Sequence, residues 1–201
     1  YRWRVDPKRS NGVLADMGSH MIDLARWMVS EITQVSARLG TFMDYPGPEG
    51  ERMQPSNVTA NLLIEFTNGA HGMIHASSVT HVADRFMQQQ VNLYGERGSL
   101  EIDIPYGFNA GAVLRVARVG EEHFQTMDVP DRYWGEFNRN NLFDLLLQMP
   151  YGARSFVDAI LEDRPITPNF YDGYKAQQVI TAALEEPKSG NWITINPLTP
   201  D

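Results

Sequence analysis

The hydrophobic pattern runs first at helical spacing, then at strand spacing, then at helical spacing again. Across residues 11–30, NGVLADMGSHMIDLARWMVS, the side chains of Leu14, Met17, Met21, Leu24, Ala25 and Met28 share one broad apolar face. Asp16, His20 and Asp23 follow at spacings of four and then three, so they stack on a second face that Trp27 joins one turn later. A helix lying on a sheet holds such a stripe at the edge of its buried surface, where a cleft would be. Ser10 or Asn11 can cap this helix, and Gly18 on its apolar side permits close approach of a partner. Upstream, Pro7 keeps Asp6 out of helix, so residues 1–10 read as an extended lead-in.

After Ser30 the period becomes two. Residues 32–42 read as a strand, and YPGPEGERMQP at 45–55 as a loop. Residues 57–66 alternate cleanly, with Val58, Ala60, Leu62, Ile64 and Phe66 on one side. Asn68-Gly69 then predicts a two-residue hairpin loop that sets Phe66 opposite His71, Ile64 opposite Met73 and Leu62 opposite His75. Further strands are predicted over 86–94, 99–104, 113–119 and 123–129, and a last one over 192–195. Helices are predicted over 138–148, 153–162 and 172–186, the last with Asp172 as N-cap. Helix, strand meander, helices is the order of an α+β fold, a mostly antiparallel open sheet with helices packed on one face. Apolar side chains on both faces of the hairpin (Leu62, Ile64 and Phe66 against Leu63 and Ile74) predict a sheet covered on both sides.

Composition narrows the function classes. The 201 residues read most simply as a single domain able to bury a substantial core. A net charge of −8 without any Lys/Arg run argues against nucleic acid as a partner. No apolar run approaches the roughly 18–20 residues of a membrane span. The absence of cysteine excludes disulfides and thiolate chemistry and fits a cytoplasmic protein. The chain opens on Tyr1 in a segment dense in aromatic and charged residues, which suggests a fragment whose upstream part is missing.

The candidate chemistry sits in the first helix. A carboxylate one turn from an imidazole, as Asp16 is from His20, orients the ring and favours its charged form, which suits a general acid/base near neutral pH. The same spacing also describes a plain surface ion pair worth a few tenths of a kcal/mol. Asp23 divides evenly between a supporting carboxylate and a structural one. Asp16, His20 and either His75 or His81 could instead bind zinc or manganese, although no paired-histidine spacing supports it. His71, His75 and His123 read as structural. The Gly95–Gly98 stretch, GERG, is flanked by strands on both sides and so cannot be a dinucleotide-binding turn.

These pieces resemble a known family. WRVDPKRSNGVLADMGSHMIDLARW is similar to the start of the C-terminal domain of the Gfo/Idh/MocA oxidoreductases, whose D-x-G-x-H-x-x-D pattern Asp16, Gly18, His20 and Asp23 fill. LLIEFTNGAHGMIHAS, VNLYGERGSLEID and the stretch from FVDAILEDRP to GNWITI extend the resemblance over nearly the whole chain. Ser10-Asn11-Gly12 departs from the family's more glycine-rich approach to the helix.

The resemblance implies a glyceraldehyde-3-phosphate dehydrogenase-like C-terminal domain serving substrate binding and oligomerisation. The dinucleotide-binding Rossmann domain, and with it the catalytic lysine segment, would lie outside this chain. His20 would be the acid/base and Asp16 its orienter or a ligand of a substrate hydroxyl. Arg4, His81 and Asp23 would contact substrate, a sugar, cyclitol or related polyol. NAD or NADP would serve the full-length protein with none bound to this chain alone, and homo-oligomers would form through the sheet face. Two other readings remain: a non-catalytic carbohydrate-binding or regulatory module, and a metal-dependent hydrolase or isomerase.

Overall fold

Alternation along 57–66 is the pattern on which the first half of the molecule is built. In the computed structural model, which describes residues 1–106, 111–134, 151–185 and 190–195, Val58, Ala60, Leu62, Ile64 and Phe66 are all buried. Their strand, β4 (Thr59–Phe66), pairs antiparallel with β1 (Ile32–Gly40) and with β5 (His71–Ser77). A short strand, β10 (Ile193–Thr194), closes the other edge, so the sheet order is β10-β1-β4-β5. On one face lie the helix α1 (Ser19–Met28) and the C-terminal helix α3 (Phe170–Glu185). Leu14, Ile22, Val179 and Ile180 on the helical side meet Val35, Leu62, Ile64 and Ile74 in one apolar cluster. Contiguous burial of this kind is the main stabilising term, about 25 cal/mol per Å² of apolar surface removed from water.

The chain divides into two compact units, 1–80 with 167–201 and 81–166, where one continuous sheet was expected. The second unit contains a four-stranded antiparallel meander: β6 (Met87–Gly95), β7 (Gly98–Tyr106), β8 (Val113–Arg118) and β9 (Gln125–Met127), in that order. Glu96-Arg97 forms the two-residue loop between β6 and β7, so GERG is a hairpin. The helix α2 (Tyr151–Leu161) belongs to the same unit. The helix predicted over 138–148 lies outside the described residues. Among the described residues no helix is long and apolar enough to cross a membrane.

Several predicted details are corrected. The Asn68-Gly69 hairpin has a three-residue loop: the Phe66 amide donates to the Ala70 carbonyl at 2.9 Å, and Gly69 adopts φ +82° while Asn68 stays at negative φ. A two-residue type I′ loop needs positive φ at both positions, whereas a three-residue loop needs it only at the last. The register therefore shifts by one residue, giving Leu62↔Ile74, Leu63↔Met73 and Asn61↔His75. That shift carries Ile74 and Ala76 into the core and leaves Met73 and His75 on the opposite, exposed face. The hairpin is thus apolar on the helix side, and its other face is open.

Two more corrections concern turns. The expected loop at 45–55 holds a small antiparallel ribbon, β2 (Tyr45–Pro46) with β3 (Arg52–Met53). Residues 1–10 are coiled rather than extended. A 3₁₀ turn spans Trp3–Val5, and Asp6, extended as Pro7 requires, gathers the region: its carbonyl accepts from the Arg9 and Ser10 amides and its carboxylate from the Lys8 amide and the Tyr1 hydroxyl.

Candidate active site

The first helix starts in an unusual way. Residues Leu14–Gly18 form a π-helical turn that runs directly into α1. Bonding from i to i+5 adds a residue to the turn and rotates everything after it, and such turns are rare and concentrated at functional sites. The buried line accordingly passes through Leu14, Gly18, Ile22 and Arg26, with Met17, Met21 and Ala25 flanking it. Neither Ile22 nor Arg26 belongs to the predicted apolar face. Gly18 does sit on the packed side, where an added Cβ would lie 3.3 Å from a Leu14 methyl.

Asp16 lies in the middle of the π turn and is exposed, as is His20 one turn on. The partner of Asp16 is Arg4, whose Nε donates to Oδ1 at 3.2 Å. The guanidinium of Arg4 in turn stacks on the Trp3 ring, 4.9 Å from its centroid. Two residues singled out from sequence, Arg4 and Asp16, are thus brought together. Asp16 and His20 make no hydrogen bond to each other, and the His20 imidazole has no hydrogen-bond partner among the described residues. Its ring nitrogens are open to whatever approaches this face.

Asp23, the third member of the stripe, is turned the other way. It accepts from Arg26 Nη1 at 3.1 Å, inside a network that also engages Glu31 at 2.6 Å and the Asp172 carbonyl at 3.1 Å. Arg26 is only 9% exposed, and a cation at that depth requires these partners. The hydrogen bond from Arg26 and its positive charge hold the Glu31 carboxyl below the usual carboxylate range, and the same bond raises Arg26. Lys175 adds a second cation beside Glu31 at 3.6 Å. The network ties α1 to the start of α3. In this structure Asp23 is occupied in holding the helices together.

The remaining sequence candidates are histidines. His81 opens the second unit. His75 hydrogen-bonds Asn61 at 2.7 Å on the open sheet face, and His71 faces Glu65 at 3.8 Å. Among the described residues no three His, Asp or Glu side chains group closely enough to hold a metal ion, so the metal-dependent reading has no ligand set here. Every described strand pairing is antiparallel, so these residues offer no strand–glycine turn–helix cradle for a dinucleotide.

One residue that sequence reasoning passed over shapes the site. Asn57, 2% exposed, accepts from the Leu14 amide through Oδ1 at 3.0 Å and donates from Nδ2 to the Asn11 carbonyl at 2.7 Å. A buried asparagine immediately before an apolar strand is the sequence signal, because an amide there must find partners.

The family comparison decides what this arrangement belongs to. The model of the GFO/IDH/MocA C-terminal domain matches residues 1–101, from the Arg4 turn through the π turn and α1 to the β6–β7 hairpin.

The chain belongs to the GFO/IDH/MocA family.

Curated and solved relatives of this GFO/IDH/MocA chain resemble it over nearly its whole length. Levoglucosan dehydrogenase of Pseudarthrobacter phenanthrenivorans is 26% identical across 96% of this chain and 54% of its own. The solved structure of a levoglucosan dehydrogenase in complex with NADH and levoglucosan superposes with a TM-score of 0.78 at 25% identity, covering 98% of this chain and 54% of that one. An NAD-binding oxidoreductase from Klebsiella pneumoniae shares the fold at the same TM-score and 23% identity, over 98% of this chain and 54% of its own. The chain spans about half the length of these relatives.

Proposed function

We propose that this chain is the substrate-binding and dimerisation portion of an NAD(P)-dependent oxidoreductase acting on a CH–OH group of a sugar, cyclitol or related polyol. The observation that carries this reading is an exposed His20 one helical turn from Asp16, whose carboxylate Arg4 engages through Oδ1, in a domain of this family. His20 takes the proton from the hydroxyl being oxidised, or returns it to the carbonyl being reduced. Asp16 accepts a hydrogen bond from a neighbouring substrate hydroxyl or from the imidazole once substrate has closed the gap. Arg4 holds that carboxylate in place through its Nε, and its stacking on Trp3 limits its own motion. By the family resemblance Asp23 and His81 are further substrate contacts, and Asp23 would have to release Arg26 to serve as one.

NAD or NADP belongs to the full-length protein, held by a Rossmann domain outside this chain, and the isolated chain is expected to be inactive. Dimerisation is assigned to the open face of the first unit's sheet. A cytoplasmic location accords with the absence of cysteine. The test is His20→Ala in the full-length protein. We expect kcat for NAD(P)-linked polyol oxidation to fall by about 10²–10⁴, the usual weight of a general acid/base, with the thermal midpoint unchanged. Turnover at the wild-type rate would remove His20 from the mechanism.

A further inference from the structure

We propose that Asn57 is a positioning residue for the Asp16–His20 site. The inference rests on the reading of that site given above. The side-chain amide of Asn57 bridges the entrance of the π turn, donating to the Asn11 carbonyl at 2.7 Å and accepting from the Leu14 amide at 3.0 Å. Its own carbonyl accepts from the Val13 amide at 3.1 Å. Three bonds therefore fix the backbone at residues 11, 13 and 14, directly upstream of Asp16. Gly12 completes the fit, since a Cβ there would stand 2.4 Å from the Asn57 carbonyl oxygen and 2.6 Å from its nitrogen.

An ordinary helix start is capped by a residue next to it in sequence. Ser10 does accept from the Gly12 amide at 3.2 Å, but the Val13 and Leu14 donors are satisfied from the far end of the sequence separation, 43 residues on from Leu14. Asn57 in turn leads into β4 through Val58, whose amide donates to the Gly40 carbonyl at 2.8 Å. The start of the helix is thereby tied to the sheet. Asp16 lies two residues past the last of these bonds, and His20 one turn further. A misplacement of about 1 Å is enough to cost a catalytic group on the order of 10²-fold in rate.

The test uses the full-length protein with three variants, Asn57→Leu, Asn57→Asp and His20→Ala. Leucine keeps asparagine's branching and removes all its side-chain bonds, including the longer one to Ser56 Oγ at 3.4 Å, whereas aspartate keeps the acceptor for the Leu14 amide and turns an acceptor toward the Asn11 carbonyl in place of the donor. For folded enzyme, quantified by circular dichroism at the assay temperature, kcat should fall at least tenfold in both Asn57→Leu and Asn57→Asp. KM for the nicotinamide cofactor should stay at its wild-type value in both. If Asn57→Leu does not fold, Asn57→Asp decides alone by the same two constants. Wild-type kcat per folded molecule in the variant that decides, or a cofactor KM that rises in step with the loss of kcat, would overturn the proposal, because a merely structural role predicts one or the other. His20→Ala separates the two failures. If it retains full turnover, the reading of the site is wrong; if it is inactive while the Asn57 variants are fully active, only the positioning role falls.

Discussion

Gly12 and Gly69 both carry a positive φ, +64° and +82°, but for different reasons. At Gly69 nothing lies within 4 Å of the position a Cβ would take, so only the backbone conformation disfavours a side chain. At Gly12 the same conformation is combined with contact against the Asn57 backbone at 2.4 Å, and backbone cannot swing aside as a side chain can. Alanine in the left-handed region costs about 1–3 kcal/mol by conformation alone. Gly69→Ala should therefore lower the thermal midpoint of the full-length protein by a few degrees, and Gly12→Ala by clearly more. Equal midpoints for the two variants would show that the Gly12–Asn57 contact adjusts freely. The presence of Gly12 was visible in the sequence as part of the approach to the helix, yet its reason was not. The atom that excludes a side chain there belongs to a residue 45 positions away, read from Asn57 against Gly12.

At the scale of elements, sequence patterning was most reliable where a single periodicity decided the outcome. The alternation of 57–66, the antiparallel order of the strands, and the apolar helices over 153–162 and 172–186 all emerge close to their predicted places. It was least reliable where one residue more or less changes the register. The hairpin loop gained a residue, and the opening helix gained one in its π turn, which moved the buried line onto Ile22 and Arg26. Neither extra residue leaves a mark in the hydrophobic pattern. The start of α3 shows a milder case. Asn169 is the cap, accepting from the Tyr171 amide at 2.7 Å, while Asp172 reaches back to the Asn169 amide at 2.8 Å, a reciprocal capping box in place of the single Asp172 cap predicted. Arg26 joins this end of α3 to α1, and its pairing with Glu31 makes a pH-dependent contribution. Because the folded-state pKa of Glu31 is lowered, the stability it contributes is present above its unfolded value, near 4.3, and is lost as the pH falls through the lower folded value. Glu31 is partly solvated, which limits the contribution to about 1 kcal/mol or less. Wild type should melt above Glu31→Gln at pH 7, and the gap should close between about pH 5 and pH 3. A gap that stays constant over that range would mean that Glu31 stabilises by packing and not by charge.

For the whole molecule, the open face of the first unit's sheet is the feature that the corrected register leaves unexplained by the fold itself. Leu63 and Met73 stand directly opposite each other there, 50% and 73% exposed, beside Asn61 and His75. Had the hairpin kept the predicted register, Met73 would have faced the core side, paired with Ile64, and this pair would not exist. Cross-strand apolar pairs on a solvated face contribute little to folding, whereas the same pair covered by a second copy adds its full burial. Two copies each carrying a net charge of −8 repel at long range, so short-range apolar contact has to supply the attraction. Salt should then strengthen association by screening the repulsion, the reverse of what a surface held by ion pairs would show. Under the dimerisation proposed for this face, Leu63→Glu combined with Met73→Glu in the full-length protein should shift the sedimentation mass from dimer toward monomer. His20 and Asp16 lie on the helical side of the sheet and are untouched by these changes, so kcat measured at concentrations where wild type is itself monomeric should be retained. An unaltered mass at micromolar concentration and moderate salt would assign assembly to another surface.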